Sequence, residues 1–438
     1  MNAIKLLGIL LLLTCPALAQ EVWTFKKCLE LGLQNNLDFK INQLEILSAE
    51  ATHRSAALEY LPIVGFGGTH SYSIGSTIDP ATNSRVSSKI QSDNFSLNAN
   101  MNLINFNTFT EARRNKIAAL RARADKEAAE SEYTLTLLEN YFTAVYTQEL
   151  LKIQQSQFEN AVFNLNRIQK EVEIGSKPKS DLYDMQVSYA QEENNILETT
   201  QLLENQKLLL LQLINVTNVT PNTIVLEALA DLEATPLSDI SIYQNAVSNS
   251  PKIKSALLNE AVLQKNVTIE KNNYLPVVSA FYSYSSFYYQ PLNQPGATVN
   301  PFWTQLNDNK NHYVGLQLSV PIFNGLKTHR DVQLAKIEHQ KSQVSTEQEK
   351  LKLRQAIEQE TTKQQQNATL ITKLQDTQAF AEKSFRTTQV KFTNGLVEAV
   401  VFTASKNQLL TAQYSLLKAK FTLQYISLKI RFLEFNQF

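Results

Sequence analysis

The segments EYLPIVGFGG (59–68) and NYLPVVSAFY (273–282) stand 214 residues apart and share the tripeptide Tyr-Leu-Pro. In each segment the proline ends a helical pattern, because proline lacks an amide donor and disfavours helix at the residue before it. A run of strand-forming residues follows at once in both copies. This period is far longer than the few tens of residues of a solenoid repeat, so it predicts two domain-sized halves with one architecture.

Further identities follow in the same order along both halves. Gly175 returns as Gly395 at a shift of 220, and the shift grows slowly, as loops of unequal length would make it. We therefore divide the chain into a first repeat over residues 20–235 and a second repeat over residues 236–438.

Residues 1–19 have the pattern of a secretory signal peptide. A positive charge at Lys5 precedes an apolar run from Leu6 to Leu13, and Ala17-Leu18-Ala19 supplies a small-residue cleavage site. The alternatives are an uncleaved anchor and a lipoprotein whose lipid is attached to Cys15. Each interpretation predicts an exported chain.

Composition argues against two classes of function. Lys and Arg together number 41, as do Asp and Glu, so no excess of basic residues favours nucleic acid as a partner. The five histidines lie at scattered spacings that match no metal-binding or catalytic pattern. We expect neither an enzyme nor a cofactor.

Each half holds two runs of alternating apolar and polar residues. In the second run of the first half Leu97 is followed by Asn98, and in the second run of the second half Leu316 is followed by Gln317. One apolar and one polar face over about ten residues is typical of a transmembrane β-barrel strand, although a soluble sheet packed on a core gives the same pattern. We expect a polar loop over Ser76–Lys89 in the first half. The loop of the second half contains Pro291, Pro295 and Pro301.

Long segments free of proline and glycine follow the strands, over about Phe109–Val172 and Leu326–Lys391. A helix of about 60 residues is ~90 Å long, several times the usual length, and the thin apolar content favours a coiled coil. A partner helix follows each long helix, to about Ile214 and from Glu398 to about Phe435. The expected fold class is mixed α and β, mainly α, with an internal duplication.

Four strands in one chain cannot close a barrel. The smallest membrane barrels have about eight strands, and open strand edges cannot face lipid. Either the sheet lies outside a membrane or several chains pool their strands, giving eight in a dimer and twelve in a trimer.

Together these features resemble the TolC-type outer-membrane efflux family. The resemblance rests on the two Tyr-Leu-Pro tripeptides, on Val320-Pro321-Ile322-Phe323-Asn324-Gly325 before a long helix, and on Gly395 at a helical turn; it covers about Glu21–Phe435. It implies a homotrimer with a twelve-stranded β-barrel in the outer membrane of a Gram-negative bacterium and an α-helical barrel in the periplasm. It also implies the exit duct of a tripartite efflux pump or type I secretion system. The implied partners are a periplasmic adaptor, an inner-membrane transporter and outer-membrane lipid.

The resemblance implies that the adaptor docks at two helical-hairpin tips, Ile174-Gly175-Ser176 and Asn394-Gly395-Leu396. Each glycine also suits the left-handed cap that ends a helix, which is a purely structural reason for its presence.

A closed periplasmic aperture at these tips is also implied. Relatives place an acidic residue where Asp181 stands, although helix starts favour acids in any case. The tyrosine and arginine that hold the relatives' mouth shut correspond to Phe392 and Val397, so we expect an apolar constriction. The expected aperture residues are Asp181, Asp184, Phe392, Val397, Glu398, Val401 and Ala404.

A periplasmic coiled-coil adaptor or scaffold is the competing interpretation. Such proteins usually carry one helical hairpin between β-rich domains. This chain has two hairpins and two strand pairs, which favours the duct.

Overall fold

The computed structural model describes residues 21–56, 58–78, 83–228, 239–292 and 298–438. The expected signal peptide, with Cys15, and Pro295 lie outside these residues. The described chain is mainly helical, as predicted, and carries two sheets.

The order helix, helix, strand, strand, long helix, helix occurs in both halves, with two short strands added in the first half and one short helix added in the second. The first half contains β1 (Glu21–Trp23), α1 (Phe25–Asn35), α2 (Leu37–Ser55), β2 (Ile63–Ile78), β3 (Arg85–Ile104), α3 (Phe106–Glu173), α4 (Lys179–Leu213) and β4 (Ile224–Leu226). The second half contains α5 (Asp239–Asn249), α6 (Pro251–Asn272), β5 (Val277–Pro291), α7 (Phe302–Asp308), β6 (Asn311–Ser319), α8 (Lys327–Thr393) and α9 (Ala399–Phe435). The internal duplication is therefore confirmed.

The long helices follow the sequence prediction closely. α3 has 68 residues and α8 has 67, and both end at the glycine turns that the sequence singles out. Both helices run without a break through the segments that contain no proline or glycine. Within the described part of the chain, no helix combines the length and apolar content needed to cross a membrane.

Residue contacts divide the chain into two compact units, and each draws on both halves. The helical unit comprises Met1–Gln43, Ala124–Lys254 and Gln348–Phe438. The sheet unit comprises Leu44–Arg123 and Ser255–Glu347.

The core of the helical unit encloses a small parallel sheet of β1 and β4. The buried Tyr141 hydroxyl of α3 lies 2.8 Å from the backbone oxygen of Trp23 and 2.7 Å from that of Glu227, and it can donate its one proton to either. The Gln148 side chain both donates to the Leu226 oxygen and accepts from its amide. Trp23 pairs with Leu226, and α1 starts at Phe25.

The sheet unit contains a four-stranded antiparallel sheet in the order β2-β3-β5-β6. Opposed residues share a face, so Phe66, Leu97 and Tyr284 lie in one row of the apolar face. Leu316 of β6 is 71% exposed on the same face, one residue from Gln317 on the polar face. The alternation is confirmed, and β2 and β6 are the two edge strands.

Two loop predictions need correction. The polar loop expected over Ser76–Lys89 is much shorter, because β2 continues to Ile78 and β3 begins at Arg85, where the two strands pair. In the second half, α7 occupies part of the expected loop. Its Gln305 side chain accepts from the Tyr289 amide and donates to the Tyr289 oxygen, so it replaces β6 along the part of β5 that β6 does not reach.

Candidate functional site

The two helical-hairpin tips have the same backbone structure. Gly175 has φ +77° and Gly395 has φ +73°, so both are left-handed as predicted. The Gly175 amide donates to the Val172 oxygen at 3.0 Å, and the Ser176 amide donates to the Glu171 oxygen at 2.8 Å. The second tip repeats both bonds, with the Gly395 amide on Phe392 and the Leu396 amide on Lys391.

This hydrogen-bond pattern is a Schellman cap, which satisfies carbonyl groups that the end of a helix leaves free. A Cβ added at either glycine would meet no atom within 4 Å. The requirement for glycine is therefore conformational within the chain, and the space around each tip is open to a partner.

The apex of each tip exposes an apolar side chain. Ile174 is 79% exposed and Leu396 is 72% exposed, next to the exposed Ser176 and Asn394. Burying an exposed apolar side chain against a protein partner is favourable, because it removes apolar surface from water.

Behind the apices, an apolar cluster joins the two hairpins. It contains Ile168 and Met185 of the first hairpin with Phe392, Ala399 and Phe402 of the second. Phe392 is buried and stacks on Phe402 with ring centroids 4.5 Å apart. Val397 packs against the same cluster.

Two cations of the first hairpin lie over the ring of Phe392. The Lys177 ammonium lies 4.9 Å from the ring centroid, and the Arg167 guanidinium carbon lies 5.2 Å away. Both distances are within the range of cation–π attraction. The Arg167 side chain also donates to the Thr393 hydroxyl at 3.4 Å.

Asp181 completes the junction. Its Oδ2 lies 3.3 Å from the Lys177 ammonium, and its Oδ1 accepts a long hydrogen bond of 3.5 Å from the Ala399 amide. Asp181 is 3% exposed. A carboxylate at the first amide of α9 stabilises the positive end of that helix, so Asp181 links the two hairpins.

The predicted aperture residues therefore separate into two groups. Asp181 and Phe392 are buried within the junction, and Val397 is half-buried beside it. The remaining four are exposed in the single chain: Asp184, Glu398, Val401 and Ala404.

Six residues of the junction were not predicted from the sequence: Arg167, Ile168, Lys177, Met185, Ala399 and Phe402. The intervals of three and four between Ala399, Phe402, Lys406 and Leu409 on α9 could have indicated Ala399 and Phe402. No sequence signal marks the two cations, because they act on a ring that belongs to the other half of the chain. Among the described residues, no group of three His, Cys, Asp or Glu side chains could hold a metal ion.

Comparison with known proteins identifies the family. A sequence model described as outer membrane efflux protein matches residues 28–216 and again residues 242–433. The chain belongs to the outer membrane efflux protein family. Its members are outer-membrane efflux channels of Gram-negative bacteria, which places this chain in the outer membrane. The family also sets aside the adaptor interpretation.

Solved structures of outer-membrane channels share the fold. CusC, studied for transmembrane channel formation, aligns with a TM-score of 0.79 at 16% identity over 94% of this chain and 91% of its own. VceC of Vibrio cholerae gives 0.75 at 14% identity over 93% and 95%. The CmeC channel of Campylobacter jejuni gives 0.76 at 16% identity over 94% and 85%. A search of curated proteins by sequence finds no match.

Proposed function

We propose that three copies of this chain form the exit duct of an efflux pump or type I secretion system. The four-stranded sheet carries this proposal. Its β2 and β6 edges are open, and an apolar face follows all four strands. A strand edge in lipid must pair with another strand. Three copies would pair their edges and supply twelve strands to one closed barrel.

The duct performs no chemistry and depends on a transporter for energy. The apolar face of the sheet contacts outer-membrane lipid, and the polar face, with Asn98 and Asn100, lines the lumen. The helical hairpins extend the conduit into the periplasm, where an adaptor connects it to an inner-membrane transporter.

The adaptor docks at the two tips. Ile174 and Leu396 offer exposed apolar contacts, and the bare backbone at Gly175 and Gly395 allows close approach. Because the junction holds both tips of one chain together, the adaptor meets them as one surface.

The aperture is lined by the exposed Asp184, Glu398, Val401 and Ala404. Asp181 and Phe392 act behind them, by holding α9 against the first hairpin. The closed mouth therefore depends on packing within each subunit, with an apolar constriction at Val401.

Single-channel recording in planar lipid bilayers tests the duct. The purified trimer should give discrete conductance steps, and Val401→Asp should raise the conductance, because three carboxylates near one axis repel each other. Asn407→Asp, an exposed site farther along α9, is the matched control variant. A trimer without conductance, in either form, would contradict the proposal.

A further inference from the structure

Helices α4 and α9 meet along a seam with coiled-coil spacing. The buried residues of α4 recur at intervals of four and three, through Asp181, Met185, Ser188 and Glu192. Those of α9 recur at intervals of three and four, through Ala399, Phe402, Lys406 and Leu409. Intervals of three and four place these side chains on one stripe of each helix.

An ion pair lies inside this seam. The Lys406 ammonium is 3.1 Å from Glu192 Oε1, and the two side chains are only 6% and 5% exposed. The other carboxylate oxygen, Glu192 Oε2, is buried without a hydrogen-bond partner. Removing two charges from water is costly, so this pair is a poor source of stability compared with two apolar residues.

A buried polar pair can instead determine register. A coiled-coil seam of apolar residues can slip by one heptad, which moves one helix by ~10 Å along the other. Such a slip would place Lys406 against Met185 or Thr199 in place of Glu192. It would place Glu192 against Ala399 or Gln413. Each alternative leaves a buried charge without its counter-ion, whereas the observed register pairs both charges.

We propose that the Glu192–Lys406 pair fixes the register between the two hairpins and so sets the relative height of the two tips. The junction between Asp181 and Ala399 lies at the tip end of the same seam and forms in this register. The consequence for adaptor docking rests on the proposed function, because the adaptor must meet Gly175 and Gly395 together. The register itself does not depend on it.

The test measures the distance between the tips by pulsed electron paramagnetic resonance. Spin labels are attached to Ser176→Cys and Leu396→Cys in a Cys28→Ala background, and labelled chains are diluted with unlabelled ones so that distances within one chain dominate. The chain that keeps both Glu192 and Lys406 should give one narrow distribution of distances between the two labels. Glu192→Leu/Lys406→Leu should give a second distance population while the thermal midpoint stays equal or rises.

A charge-reversed variant separates register from packing. Glu192→Lys/Lys406→Glu should restore one narrow distance, since it restores a pair. Neutralising the exposed pair Glu338→Gln/Lys341→Met on α8, whose side chains are 56% and 68% exposed, should change nothing. If the leucine variant does not accumulate, Glu192→Gln/Lys406→Met takes its place.

One narrow distance in the leucine variant would overturn the proposal, as would two populations in the charge-reversed variant. Conductance is recorded on the same samples. A chain that shows the predicted distances without conducting would contradict the proposed duct and leave the register assignment standing. A conducting trimer that shows one distance in every variant would contradict the register assignment and leave the proposed duct standing.

Discussion

The Asp181 carboxylate of the first hairpin accepts a hydrogen bond from the amide of Ala399, the first residue of α9 in the second hairpin. The two residues are 218 positions apart in sequence. The same carboxylate faces Lys177, which also lies over the ring of Phe392. One buried side chain therefore connects a helix end, a cation and an aromatic ring at the point where the two halves of the chain meet.

Replacing Asp181 should loosen the tips. Asp181→Ala removes both the acceptor for Ala399 and the partner of Lys177, at a cost of about 1–2 kcal/mol. Asp181→Asn keeps an acceptor oxygen and should cost less. The rate of limited proteolysis at the tips reports the change, and Asp184→Asn, an exposed neighbour one turn on, is the control. Equal rates for Asp181→Ala and the control would show that the contact does not hold the hairpins.

The tip glycines should tolerate asparagine better than a branched residue. A left-handed backbone costs most residues about 1–2 kcal/mol, but asparagine adopts it readily. Gly395→Asn should keep export, whereas Gly395→Val should reduce it without preventing trimer assembly. Equal export by the two variants would contradict the conformational role.

Cross-linking can locate the adaptor on the chain. Photoreactive groups at Ser176 and Leu396, at the tips, should capture it. The same groups at Asn83 and Asn300, in the loops between strands, should not. Capture from the loops alone would reverse the proposed orientation.

The two faces of β6 should respond differently to charge. Leu316→Arg places a cation on the apolar face and should cost about 2–4 kcal/mol if the residue lies near the bilayer midplane. Gln317→Arg, the next residue, lies on the polar face and should cost far less. The temperature at which the trimer dissociates on gels measures both. Equal effects would contradict the assignment of the apolar face to lipid.

Cys28 should be unreactive in the folded protein. Burial raises the pKa of its thiol from 9.0 to about 12, although Lys27 acts in the opposite direction. Because the pKa is higher in the folded state, the protonated thiol adds to the free energy of unfolding. This contribution is complete below pH 9 and is lost as the pH rises from about 9 towards 12. Alkylation followed by mass spectrometry should show no modification at pH 8 until the chain is denatured. Modification of the native chain at the denatured rate would contradict the burial.

The sequence predicted the duplicated element order, the strand faces and the glycine turns, because local rules govern all three. It could not predict that Phe392 would be buried. The family resemblance alone implies an apolar constriction at Phe392, in place of a lock. In the structure the ring packs on Phe402 and attracts Arg167 and Lys177.

Pairing between distant segments accounts for the other differences. The residues Ser76–Ile78 and Arg85–Lys89 do not continue a regular apolar–polar alternation, yet they belong to β2 and β3 because the two strands pair with each other as far as Ile78 and Arg85. α7 likewise depends on Gln305 reaching the backbone of Tyr289. Neither interaction can be inferred from composition or periodicity along one segment.

Electron cryomicroscopy of the full chain, extracted from outer membranes in detergent, tests the central claim most directly. The account predicts three copies around one axis, with β6 of each subunit hydrogen-bonded to β2 of the next in a closed barrel of twelve strands. A monomer or dimer, or a trimer in which the β2 and β6 edges remain unpaired, would contradict it.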